Sequence, residues 1–125
     1  MKVYAFIGIG GFLGGVLRFI IENNHVLHYK ESLPLNTLFI NLSGSFILAL
    51  FLTITLEIGK FSTNIRRGVS IGFLGAFTTF STLCKQVVKL FEDGQYYSSV
   101  AYIFSSVILG LAMAYLGVLL AKKLV

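Results

Sequence analysis

The sequence predicts an all-α integral membrane protein with four transmembrane helices, the third broken near its middle. Three observations carry that expectation. Of 125 residues, 56% are hydrophobic and only 12% are charged, with a mean hydropathy of +0.86. A soluble domain of this size buries too small a fraction of its surface to hide that much apolar area. The apolar residues fall into four stretches, at about 3–21, 35–56, 68–91 and 97–121. Each is near the ~20 residues that cross ~30 Å of hydrocarbon. The third stretch contains Gly72-Phe73-Leu74-Gly75-Ala76-Phe77-Thr78-Thr79-Phe80-Ser81-Thr82. Two glycines, adjacent β-branched threonines and a hydroxyl run make a poor uninterrupted helix. At bilayer depth, unwound backbone survives only where protein buries it or where it lines a cavity. A break there marks an ion site. The alternative is a glycine-rich packing seam whose hydroxyls bond back to the helix.

The elements follow in order within one domain, 1–125, with no linker or low-complexity tail expected. Only Lys2 precedes the first span and no Ala-x-Ala site follows it, so it reads as a membrane helix and not as a signal peptide. It carries two overlapping small-xxx-small pairs, Gly10/Gly14 and Gly11/Gly15, which suit close helix packing. Arg18 lies near the end of this span, within snorkelling reach of the interface, with Glu22 one turn on. His25 and His28 fall in the next loop and read as solvated residues, too few to hold a metal. The second span starts after Pro34 and brings Asn41 near mid-span. The third carries Gly68/Gly72, the Gly/Thr run and, toward its far end, Cys84 and Lys85. Cys84 is the only cysteine, so no intrachain disulfide forms and packing is its expected role. The fourth span carries Gly110/Ala114 and Gly117/Ala121. Four helices of this length do not easily enclose a pore, so a dimer is expected.

Charge predicts topology and no nucleic-acid partner. Lys2, Lys60, Arg66, Arg67, Lys122 and Lys123 lie on one side against a single acid, Glu57. Arg18, Lys30, Lys85 and Lys89 lie on the other, with Glu22, Glu31, Glu92 and Asp93. Lys and Arg near span ends set orientation, which puts both termini in the cytoplasm of a multi-pass cell-membrane protein. No Asp or Glu stands in the middle of any span. A proton-coupled carrier usually needs such a carboxylate. The polar residues at depth are neutral amides and hydroxyls, which can replace water around an anion without trapping it.

Several motifs, in order, are recognisable together. They are Gly10-Gly11-x-x-Gly14-x-x-x-Arg18-Phe19, Leu33-Pro34-x-x-Thr37-Leu38-x-x-Asn41, Gly72-Phe73-x-Gly75-x-x-Thr78-Thr79-Phe80-Ser81-Thr82, and Ser106-x-x-x-Gly110 with Leu116-Gly117. Along nearly its whole length the chain resembles the Fluc/CrcB family of small fluoride channels. The resemblance implies a dimer whose subunits insert in opposite directions, with two fluoride paths and one central, structural sodium ion shared between subunits. It places Asn41 and Phe80 on the anion path, with Ser81, Thr82, Tyr102 and Ser106 near it. Gln86 is a further donor on that path, one that cannot ionise. It places the carbonyl oxygens of Gly75 and Thr78 on the sodium, and gives Arg18, Gly11 and Gly14 structural roles. An amide and hydroxyls suit a small anion, and the positive edge of the Phe80 ring suits it too. Leu83, Cys84, Gln86 and Asn36 stand where the family more often has phenylalanine, serine, glutamate and glycine.

The function implied is passive export of fluoride from the cytoplasm, driven by an inside-negative potential, with no catalytic residue. Two alternatives stand beside it. One is a small proton-coupled multidrug exporter, which the missing mid-span carboxylate disfavours. The other is a non-conducting partner subunit in a heterodimeric channel, which the departures at Leu83 and Gln86 allow. The second subunit is a homologous paralogue or a second copy of the chain with dual topology.

Overall fold

The computed structural model describes residues 1–24 and 33–125. The loop positions expected for His25, His28, Lys30 and Glu31 lie outside the described residues. Helix α1 spans Lys2–Glu22 and α2 spans Leu35–Ile58. The third span is composite. It runs as α3 (Thr63–Arg67), a π-helical segment (Gly68–Leu74), α4 (Gly75–Phe77) and α5 (Phe80–Glu92). Helix α6 spans Tyr96–Leu124. Among the described residues four helical spans, the composite one included, are long and apolar enough to cross a membrane.

The spans run past the hydropathy limits because charged ends can still be helical. Gly59 ends α2 in the left-handed region at φ 65°, a conformation glycine adopts without a Cβ penalty. The third span then starts as early as Thr63, so the connection expected at 57–67 is only 59–62. Gly94, at φ 75°, makes the tight turn between α5 and α6.

Helix α1 packs along the π segment and α4, while α2 packs on α6, which also meets α5. These seams are made by glycines. A Cβ on Gly10 would strike the carbonyl oxygen of Gly68, and one on Gly14 would strike that of Phe73. A Cβ on Gly72 would lie 2.5 Å from the carbonyl oxygen of Ile7. Backbones therefore touch, as close small-residue packing allows. The π segment lies on this seam, and π turns are rare and concentrate at functional sites. Neither propensity nor hydropathy announces it. Only one of the two overlapping glycine pairs makes this seam. Gly11 would bring its Cβ no nearer than 3.9 Å, to Gly72, and Gly15 meets nothing within 4 Å.

The interior is small. Ile40, Leu74, Thr37 and Thr55 are its fully buried side chains, and Leu83, Leu90 and Tyr102 form a cluster between α5 and α6. Large apolar side chains cover the outside of every span, as a lipid-facing surface requires. Asn36, which no sequence argument singled out for a role, staples the start of α2 to the end of α1. Its Nδ2 donates to the carbonyls of Glu22 and Asn24, each at 3.2 Å, and so satisfies orphan acceptors at a helix C-terminus. Arg18 is half-buried and does not pair with Glu22 among the described residues.

Candidate functional site

The third span breaks at Thr78–Thr79. Thr78 leaves the helix at ψ 154° and Thr79 is extended at φ −149°, ψ 116°. Across the bundle, Asn41 meets the break with both ends of its amide. Its Oδ1 accepts from the Thr79 N–H at 2.8 Å and its Nδ2 donates to the Thr79 carbonyl at 3.0 Å. In an unbroken helix that N–H would bond the Gly75 carbonyl. The Thr82 N–H, which would bond the Thr78 carbonyl, instead donates to Thr79 Oγ1 at 3.2 Å. Thr79 is thus the N-cap of α5, the role that hydroxyl residues serve best. Two side chains take the two donors, and the carbonyls of Gly75 and Thr78 are released from helical bonding. These are hard oxygens at the end of a helical arm, the chemistry that a monovalent cation uses. On the other side of the break, the N-terminus of α5 presents the positive end of its dipole.

Two tiers of polar side chains follow. The first gathers Asn41, Thr79, Ser81 and Thr82: Thr79 Oγ1 donates to Thr82 Oγ1 at 3.0 Å and lies 3.3 Å from Ser81 Oγ. The second joins three helices through Gln86, whose Nε2 donates to Thr37 Oγ1 at 2.9 Å and whose Oε1 accepts from Tyr102 Oη at 2.8 Å. Thr37 and Asn41 lie one turn apart on α2, as do Thr82 and Gln86 on α5, so the tiers stack along one direction. The residues that sequence reasoning missed are Thr37 and Thr79, which were quoted in motifs without a role. The four-residue spacing of Thr37 from Asn41 was the available signal for the first.

Other expected site residues lie apart from this ladder. Ser106 sits one turn beyond Tyr102 and spends its hydroxyl proton on the Tyr102 carbonyl at 2.7 Å. Ser43, Ser45, Thr55, Ser70 and Thr78 likewise bond back to their own helix. Phe80 is 75% exposed, and Gly75 and Ser81 are exposed with it. These three look out of the protomer. Leu83, three residues on, points the other way and is 5% exposed, in the cluster with Leu90 and Tyr102. It occupies the α5–α6 core and not the face that carries Phe80. Among the described residues no three His, Cys, Asp or Glu side chains gather as a metal site would need.

The site is therefore a neutral, donor-bearing ladder beside a helix break. A family model described as CrcB-like protein, Camphor Resistance (CrcB), matches residues 5–118. The chain belongs to the CrcB family. Curated relatives agree with it over nearly the full length. It is 37% identical to "Fluoride-specific ion channel FluC 2" of Moorella thermoacetica, over 97% of this chain and 98% of that protein. It is 33% identical to "Fluoride-specific ion channel FluC 1" of a bovine Staphylococcus aureus strain, over 97% and 98%. With "Fluoride-specific ion channel FluC" of Methylococcus capsulatus the identity is 36%, over 94% of this chain and 52% of that protein. CrcB membership explains why the glycine seam, the Asn41 register and the Thr-Thr break occur together in so short a chain.

Proposed function

We propose that this chain is a protomer of a passive fluoride-selective channel, built as an antiparallel dimer in the cell membrane. The observation that carries the reading is the Asn41–Thr79 bridge at the break, next to a ladder of neutral donors with no carboxylate in it. Relatives that span nearly the whole chain bear the name of fluoride channels. Neutral donors can replace the hydration shell of a small anion, yet release it. Asn41, Ser81, Thr82, Gln86, Tyr102 and Ser106 would line the path, with Phe80 offering its ring edge from the exposed face to a path completed by the second subunit.

The carbonyl oxygens of Gly75 and Thr78 would hold a sodium ion shared with that subunit. Their release from helical bonding and the exposure of Gly75 support this. Bound there, the ion supplies a fixed positive charge that lowers the cost of bringing an anion out of water.

Phe80→Ile should assemble like the parent and conduct at least tenfold more slowly. It keeps much of the volume and loses the positive ring edge, and an aromatic edge contact contributes ~0.5–1.5 kcal/mol beyond burial. Parental fluoride efflux from liposomes carrying the isoleucine variant would remove the ring from the path.

The partner is inferred from charge. Six basic residues on the side of the termini against four opposite bias insertion toward cytoplasmic termini. The antiparallel partner is then a related subunit of opposite bias and not a second copy. The numbered names FluC 1 and FluC 2 among the relatives suit chains that occur in pairs. A reporter fused after Val125 should read almost entirely cytoplasmic, and the purified chain alone should give weak efflux. An equal split of the reporter, with robust efflux by the chain alone, would establish the dual-topology homodimer instead.

A further inference from the structure

Helix α5 differs from the other spans. The outer faces of α1, α2 and α6 are apolar over their middle turns, whereas α5 exposes a polar stripe. Ser81, Lys85 and Lys89 follow one another at four-residue spacing, and Glu92 lies three residues on. The opposite face buries Leu83 and Leu90, with Val87 partly buried beside them. Charged side chains are expensive against lipid and within membranes mark water-filled paths. Beside the stripe lies a cavity of about 520 Å³, lined by Cys84, Lys85, Val88, Lys89, Glu92 and Asp93. Neither lysine forms an ion pair among the described residues. The two acids stand at the end farthest from the break, so the positive charge is concentrated toward Ser81 and the α5 N-terminus.

We infer that Lys85 and Lys89 form a water-filled, positively charged mouth that gathers anions toward the break at Thr78–Thr79. The inference rests on the anion-channel reading of that break and assigns a role to two residues that it leaves unused. A cleft lined by one sign of charge with low-dielectric walls focuses the field and raises local counter-ion concentration. Successive lysines ~6 Å apart along the axis would hand an anion down to Ser81. The competing account is that both lysines snorkel past lipid to the headgroups. That account leaves Cys84 facing hydrocarbon.

Cys84 is the only cysteine, is half-buried and lines the same cavity, so the unmodified full-length chain carries its own reporter. The reconstituted protein is exposed to an anionic, sulfonate-bearing methanethiosulfonate and to a cationic, trimethylammonium-bearing one. Each rate at Cys84 is divided by the rate with a free small thiol. At ~10 mM ionic strength, where the Debye length is ~30 Å, the anionic reagent should be favoured about tenfold. At ~1 M, where it is ~3 Å, the preference should shrink to about twofold or less. Lys85→Gln with Lys89→Gln should remove the preference at low salt and leave the reagents equally able to reach the thiol. A Cys84 inert to both reagents from both sides of the membrane would overturn the mouth, as would a preference that survives the double substitution. The readout needs no conduction. A chain that shows the preference yet passes no fluoride keeps the mouth and loses the channel reading.

Discussion

Replacing Asn41 by aspartate should abolish fluoride efflux. Asn41 both accepts from the Thr79 N–H and donates to the Thr79 carbonyl. Aspartate can keep only the first of these bonds. Its second oxygen would face the Thr79 carbonyl oxygen, and a buried acceptor left unpaired costs ~1–3 kcal/mol, more if charged. It would also set a negative charge on an anion path, and two unit charges ~4 Å apart repel by ~4 kcal/mol at an effective dielectric near 20. Together these exceed ~3 kcal/mol, so efflux should fall by at least about a hundredfold. Asn41→Leu separates the two effects, because it loses the bridge without adding charge. Efflux from liposomes should then fall less than with aspartate but still well below the parent. Unchanged efflux from the aspartate variant would sink both the bridge and the path.

Gly14→Ala should keep the protomer from reaching its native packing, while Gly11→Ala should be tolerated. In an exposed helix both changes are favourable by ~1 kcal/mol, since alanine is the better helix former. At Gly14 the added Cβ collides with the Phe73 carbonyl oxygen and lies 2.9 Å and 3.1 Å from the Phe73 C and Cα. All three atoms are backbone, so no side chain can turn aside and α1 must move off the third span. Overpacking typically costs ~1–3 kcal/mol and sometimes more, and a collision with rigid backbone belongs at the upper end. At Gly11 the nearest atom is 3.9 Å away, which is ordinary contact. Thermal unfolding in detergent micelles, followed by circular dichroism, should show a large loss for Gly14→Ala and little change for Gly11→Ala. Equal stability of the two variants would mean that α1 does not dock in this register.

Much of this protein was legible in its sequence, and for identifiable reasons. Hydropathy is a local sum over ~20 residues, so the four spans and the absence of mid-span acids needed no structure. The break was legible because Gly75, Thr78 and Thr79 weaken a helix by their own chemistry. Gly59 and Gly94 could be placed as turn residues only once the helices beside them had been drawn.

The sequence by itself determined a four-span membrane protein of the CrcB family, a break within 72–82 and a set of neutral donors. Only the tertiary structure decided how these are used. It chose Gly10/Gly14 over Gly11/Gly15 for the seam with the third span. It turned Leu83 into the core and Phe80 outward. It gave the donors freed at the break to Asn41 and to the Thr79 hydroxyl, and joined Thr37 to Tyr102 through Gln86. Such choices depend on the rotation and depth of each helix. Those are set by backbone contact between segments far apart in the chain, and a pattern read along one segment carries no information about them.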